Sequence, residues 1–433
     1  MAKNNRYVEK FFFIILVFLS TIILFLFIRE NSEVSKRKNK EEIEEKKNIS
    51  NGKKAIIVVG GIGCSTLHYL GKTNEKYKHG ECVFFRGNFD TWSILDLKNS
   101  AIKALSNYKL LSCNSKGEPV YKNVGILENY NDVDPYDIEI SKYGFSSMFK
   151  NLILYLENKY GKNTDYKYDV FLFNYDWRLD NNYNGERLYK VLKEYDDGVI
   201  IIGYSMGNLI TAKAAKMLYE ENDIDRIKLF LSTFPVYNGA TQAVYFLKKG
   251  KINNNYLFDI INKIYKLDIV LIYLTKNYPS MYQLMPNKEF SRRNKGFMID
   301  SNNIKLNYRQ AMNYMKKDKN LNQDLINKAI KFHEDLYVND KHILNYIKNK
   351  YFFIGSGYDT SDTLKINRNN SKEISHHFFS DGDGTVNCKL SAYPPCECDS
   401  ENITLFKSLH TDAYKNKDFL IELTDVIDLY VWQ

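Results

Sequence analysis

Short β-branched runs alternate along this chain with longer stretches whose apolar residues recur at helical spacing. Ala55-Ile56-Ile57-Val58-Val59, Val170 to Phe173, Val199-Ile200-Ile201-Ile202, Ile227 to Leu231 and Tyr351 to Ile354 each read as a strand buried on both faces. Ser146 to Tyr160 carries Met148, Phe149, Leu152, Ile153 and Leu156 on one helical stripe. Leu209, Ile210, Ala212, Ala214, Ala215, Met217 and Leu218 suit a helix lying on a sheet, and Phe419, Leu423, Ile427 and Tyr430 give the last helix one apolar face. Strands alternating with helices predict an α/β fold, a mostly parallel sheet with helices on both faces. Two regions break the alternation. Residues 82–113, aromatic at one end and closed by a cysteine, read as a lid. Residues 238–345, helical in texture and rich in Tyr, Lys and Asn, read as a cap.

The N-terminal part has a different pattern. Phe11 to Ile28 is uncharged and nearly all apolar, long enough to span a bilayer, and residues 11–28 are expected to be a transmembrane helix. A cleaved signal peptide is the rival reading, but no small-residue cleavage site follows, since Arg29-Glu30-Asn31 comes next. Residues 29–54 are a charged linker with too few apolar positions to pack. The catalytic domain is then 55–433.

Composition narrows the class. The 433 residues, 44% of them hydrophobic, suffice for a large core. The formal charge of +9 comes from 61 basic residues interleaved with 52 acidic ones, without a compact basic stripe, so nucleic acid is not an expected partner. Lys and Arg flank both ends of the 11–28 segment, and the excess after it would keep the large domain in the cytosol. The six cysteines argue the other way. Cys82 and Cys113 bracket the lid, and Cys388, Cys396 and Cys398 cluster, which suits an oxidising compartment. Sequons at Asn48, Asn369 and Asn402 agree with that. The expectation is therefore a single-pass membrane protein with its catalytic domain lumenal or extracellular. No metal site is expected, because the Cys388 cluster lacks a second Cys or His pair at zinc spacing.

Chemistry enters with Gly203-Tyr204-Ser205-Met206-Gly207, a G-x-S-x-G between a predicted strand and a predicted helix. That is the context of a nucleophile elbow. Asp381-Gly382-Asp383-Gly384 follows, and then His410. Nucleophile, acid, base is the chain order of an α/β-hydrolase triad. Of the seven histidines only His410 lies beyond Asp383. The bland alternative is an ordinary strand-to-helix turn with a bystander serine.

These motifs together resemble the lecithin:cholesterol acyltransferase family. Gly61-Ile62-Gly63-Cys64-Ser65-Thr66-Leu67 resembles its first turn, with Gly60 in place of the usual proline. Asn174-Tyr175-Asp176-Trp177-Arg178 resembles its Y-D-W-R strand end, Gly203 to Asn208 its H-S-M-G-N elbow with Tyr204 for histidine, Pro279 to Pro286 its cap stretch, Tyr351 to Gly357 its Y-C-x-Y-G-x-G strand, and Asp381 to Val386 its D-G-D-x-T-V loop. The stretch Ser232 to Gly239 departs from the family's G-A-P-W-G-G. The resemblance implies a serine-dependent acyl hydrolase or acyltransferase acting on glycerophospholipid at a membrane interface, with no cofactor. It implies Ser205 as nucleophile, His410 as base and Asp383 as the acid, and a Cys82–Cys113 bridge closing the lid.

Ile62 and Met206 are the expected oxyanion donors, through backbone N–H groups that leave side-chain identity free. Asp381 is a rival acid that would otherwise cap its turn; Asp359 or Asp362 with His376 or His377 is a further rival. Asp176 and Arg178 read as a buried ion pair. Trp177 is a candidate for the substrate wall and Trp92, with Phe84, Phe85 and Phe89, for contact with lipid. Water or a lipid alcohol accepts the acyl group, and the polar Tyr237 and Asn238, placed near the mouth, favour water. Rival functions are a neutral-lipid or small-ester hydrolase and a catalytically silent lipid-binding or tethering protein.

Overall fold

The structure, a computed structural model, describes residues 54–73, 78–84, 108–126, 147–251, 267–367 and 373–431. The expected anchor 11–28, most of the 29–54 linker and Trp92 lie outside them. Among the described residues no helix is long and apolar enough to cross a membrane.

Six parallel strands form the central sheet. They are β1 (Lys54–Val59), β2 (Asp169–Phe173), β3 (Gly198–Tyr204), β4 (Ile227–Thr233), β5 (Lys350–Ser356) and β6 (Ile403–Lys407), arranged β6-β5-β4-β3-β1-β2. The unbroken apolar runs follow from burial on both faces. In β1, Ala55, Ile57 and Val59 enter one core while Ile56 and Val58 enter the other; in β3, Val199 and Ile201 oppose Ile200 and Ile202 in the same way. Helices α1 (Ser147–Tyr160) and α4 (Lys417–Val431) supply the core that holds Ile56 and Ile200. Helices α2 (Asn181–Leu192) and α3 (Gly207–Glu220) pack on the opposite core. The chain runs from β1 out to β2 and then back across to β3, so the strand order reverses between β1 and β3. The carboxyl ends of strands at such a reversal form the crevice where open α/β sheets bind their ligands. Here those ends carry Gly60-Gly61 and Ser205.

All five strands expected from the apolar runs are present. The sequence reading missed β6 and an antiparallel hairpin, Tyr358–Ile366 with Ile374–Gly382. The hairpin leads directly into Asp383 and pairs with Met298–Ile299 of the cap region. Described cap segments include the helices Thr241–Lys249, Leu267–Thr275, Tyr308–Lys317 and Gln323–Asp335.

Two cap histidines are held neutral in the interior. Burial pushes His333 down to about 4 and His342 down to about 3, from 6.5. His333 Nε2 lies 2.8 Å from the Gln283 carbonyl, and His342 Nδ1 accepts the Leu344 N–H. Above pH 6.5 neither ring is charged in either state, so both contribute full stability. As pH falls below 6.5 the unfolded chain takes up protons that the folded chain refuses, and stability drops until about pH 4 for His333 and about pH 3 for His342. At about 1.4 kcal/mol per pH unit the full loss is on the order of 3–5 kcal/mol per ring. Thermal melts should therefore shift down steeply between pH 6.5 and 4.5. A melting temperature that stays flat across that range would show that the rings are not held neutral.

Candidate active site

β3 ends in the elbow. Ser205 sits at φ +52°, a left-handed conformation that costs a non-glycine residue energy and lifts its side chain out of the sheet. The turn closes because Gly207 has no side chain: a Cβ there would lie 2.1 Å from the Val59 carbonyl oxygen. Helix α3 starts at Gly207, with Met206 at its cap, so the Met206 N–H stands outside the helical ladder at the positive end of the helix.

The hydrogen-bond chain is continuous. Ser205 Oγ lies 2.9 Å from His410 Nε2, and His410 Nδ1 lies 2.6 Å from Asp383 Oδ2. The second carboxylate oxygen, Oδ1, accepts the Thr385 and Val386 N–H groups at 3.0 and 2.7 Å. A carboxylate accepting on both oxygens fixes the proton on Nδ1 and leaves Nε2 to accept from the serine hydroxyl. The His410 N–H donates to the Asp383 carbonyl at 2.9 Å, tying acid and base through the backbone as well. All three side chains are buried, with the serine 7% exposed. This arrangement can deprotonate the hydroxyl as it attacks and stabilise the imidazolium that forms.

Asp381 and Asp362, two of the rival acids, are occupied elsewhere. Asp381 Oδ1 caps the preceding turn by accepting the Gly357 N–H at 2.6 Å. Asp362 is bonded by Thr363 and Ser380, and His376 by Ser361.

Gly61 lies against the nucleophile: a Cβ on it would stand 2.8 Å from Ser205 Cβ. The turn that goes on to Ile62 therefore begins against the serine. Tyr204 was not singled out in the sequence for any role. Its hydroxyl donates to the His410 carbonyl and its ring stacks on the imidazole, with centroids 5.2 Å apart. The signal was present, since tyrosine stands there where the family has histidine.

Other expectations change. Trp177, a candidate for the substrate wall, is buried; its Nε1 donates to the Ser65 carbonyl at 3.0 Å and its ring meets Tyr278 edge-on. Tyr237 and Asn238, expected to make the mouth polar, turn inward, where Tyr237 Oη donates to Ser232 Oγ and Asn238 Nδ2 to the Leu390 carbonyl. The Tyr237 hydroxyl and the Asn238 amide nitrogen exchange water for these internal acceptors, while Asn238 Oδ1 is buried without a partner. Cys113, expected to bridge to Cys82, is a free thiol. It is packed in the core with Leu111 and Val124, and burial pushes it up to about 12, which keeps it protonated. The Cys82 side chain lies outside the described residues. Cys388, Cys396 and Cys398 are also free. Among the described residues no cluster of His, Cys, Asp and Glu has the make-up of a metal site.

The sequence model of the family described as lecithin:cholesterol acyltransferase matches residues 132–376, more than half of the chain. The match includes the elbow and ends before Asp383, so the acid and base are placed by the geometry above. No curated protein matches the chain. Among solved structures, the fold is similar to that of a chain from the Tle4–Tli4 complex, with a TM-score of 0.56 and 13% identity over 88% of this chain and 99% of that one. A lipase from Bacillus licheniformis, BlEst2 in mature form, matches at a TM-score of 0.33 and 14% identity, covering 61% of this chain and 79% of its own.

Proposed function

The chain belongs to the lecithin:cholesterol acyltransferase family, which makes it a lipid acyl hydrolase or acyltransferase, and from that premise we propose that it is a serine-dependent phospholipase A working at a membrane interface. The hydrogen-bonded run from Ser205 through His410 to Asp383 carries the reading. Ser205 Oγ attacks the acyl carbonyl of a glycerophospholipid while His410 Nε2 takes the hydroxyl proton. The Ile62 and Met206 N–H groups hold the oxyanion. His410 then returns the proton to the departing lysophospholipid oxygen, leaving an acyl ester on Ser205.

A second hydroxyl must attack that ester, and His410 activates whichever hydroxyl reaches it. With Tyr237 and Asn238 turned inward, their polar groups do not favour water, and size decides. Any approach wide enough for a lipid alcohol also admits water. Hydrolysis is therefore expected to dominate, with transfer to sterol or diacylglycerol as the minor route. On mixed liposomes of phosphatidylcholine, sterol and diacylglycerol, free fatty acid should exceed acylated alcohol at early times. The reverse ratio would make the protein an acyltransferase first. Labelling of Ser205 by a fluorophosphonate probe, with no turnover of any phospholipid, would instead favour the small-ester reading.

A further inference from the structure

We propose that Tyr175 is a positioning residue of the oxyanion hole, its phenol fixing the glycine turn after β1 so that the Ile62 N–H faces the reacting carbonyl. The inference rests on the serine acyl-transfer reading above and deepens it. Tyr175 follows the end of β2, the strand beside β1, and is fully buried. Its Oη lies 2.7 Å from the Gly60 carbonyl oxygen and 3.0 Å from that of Gly61, which also accepts the Cys64 N–H at 3.2 Å.

A trans peptide is planar, with its C=O and the following N–H pointing in opposite directions. Turning the Gly60 and Gly61 carbonyls toward Tyr175 therefore turns the Gly61 and Ile62 N–H groups away from it. Gly61 itself abuts Ser205. Gly60, Gly61 and Gly63 carry no side chains to restrict their backbone, and glycine rotates through conformations closed to other residues. The Cys64 N–H braces the Gly61 carbonyl from inside the turn, and the Tyr175 hydroxyl adds an outside contact to it and to the Gly60 carbonyl that favours one peptide orientation.

Tyr175 is itself held. Its N–H donates to Ser65 Oγ at 3.2 Å and its ring stacks on Phe173, while Trp177 Nε1 grips the Ser65 carbonyl. The strand end is thus attached to both sides of the turn. Burial raises the phenol well above its ordinary value, so it remains a donor throughout the working pH range. An oxyanion donor is effective when it is preorganised, since it then spends no energy reorienting as charge develops.

The test is Tyr175→Phe, which keeps the ring and removes the donor. On a soluble ester, kcat should fall roughly ten- to hundredfold, a fraction of the 10²–10³ seen when an oxyanion donor is removed outright. KM should stay within about twofold, because ground-state binding does not use the hole. Affinity for a trifluoromethyl ketone, which forms a tetrahedral adduct on the serine, should fall by the same factor as kcat/KM. A merely structural role would lower the folded fraction without moving the ratio of ketone affinity to substrate affinity. Measuring that ratio on the folded fraction decides the matter even if the variant melts lower. A variant with unchanged kcat and ketone affinity overturns the assignment of Tyr175 alone. Wild-type protein that takes up neither a fluorophosphonate label nor the ketone overturns the acyl-transfer reading and this inference together.

Discussion

Ser205→Ala is expected to lower turnover by roughly 10⁴-fold or more while leaving the melting temperature nearly unchanged. The serine side chain contributes little burial energy, and its φ of +52° is no easier for alanine. What disappears is the atom that His410 Nε2 holds at 2.9 Å and that would carry the acyl group. His410→Ala and Asp383→Asn should be comparably damaging, because members of such a chain act as a unit. Asp383→Asn is the subtler case. An amide presents N–H as well as C=O to the imidazole, so the tautomer that accepts from Ser205 is no longer enforced. His376→Ala and His377→Ala should be mild, since His376 is bonded to Ser361 and neither is part of the chain to Ser205. Initial rates on a chromogenic ester, normalised by active-site labelling, would show the split. Near-normal activity in His410→Ala would falsify the assignment.

Asp176→Ala is expected to cost about 3–5 kcal/mol of stability. Arg178 is fully buried. Its Nε and Nη2 reach the two oxygens of Asp176 at 2.9 and 2.6 Å, and Nη1 and Nη2 also donate to the Leu111 and Val124 carbonyls, at 3.1 Å each. Burial opposes the charge, but the Asp176 carboxylate more than offsets it and holds the guanidinium above its usual range. Removing the carboxylate strands a cation in the interior, while the two carbonyls alone do not neutralise it. Asp176→Leu combined with Arg178→Met removes both charges and should recover much of the loss. Urea midpoints of the single and double variants would measure this. A single-variant loss below about 1 kcal/mol would mean that water reaches the guanidinium.

The pair also shows where local pattern stops being informative. Asp176 and Arg178 are two residues apart, and a buried pair was the reading of the sequence. That the guanidinium also fastens Leu111 and Val124, 67 and 54 residues away, was not legible, because carbonyl acceptors leave no trace in side-chain identity. The partner of Trp177, between them, is equally invisible in the sequence: its indole N–H donates to the Ser65 carbonyl. Strand β6 was missed for a related reason: it is an edge strand with Leu405 55% exposed, and Ile403-Thr404-Leu405-Phe406-Lys407 shows no clear buried run. The hairpin Tyr358–Ile366 with Ile374–Gly382 is rich in polar residues, shifts register between Ser361 and Leu364, and leans on the Met298–Ile299 strand. Its stability is tertiary, so neither alternation nor an apolar run announces it.

The sequence by itself determined the parts that are contiguous. The β-branched runs made five of the six sheet strands, and the strand, G-x-S-x-G and helix in succession made the elbow, because a parallel strand buried on both faces and a turn with no room for a Cβ each impose their residues locally. Chain order named His410, and the resemblance of Asp381 to Val386 to the family's D-G-D-x-T-V loop named Asp383. Only the tertiary structure decided that His410, 205 residues after Ser205, comes within hydrogen-bond reach of it, and that Tyr175 meets carbonyls 115 and 114 residues earlier. It alone turned Tyr237, Asn238 and Cys113 inward. The physical reason is the same in each case. Which way a polar side chain faces depends on whether the interior supplies a partner to replace water, and those partners come from distant parts of the chain.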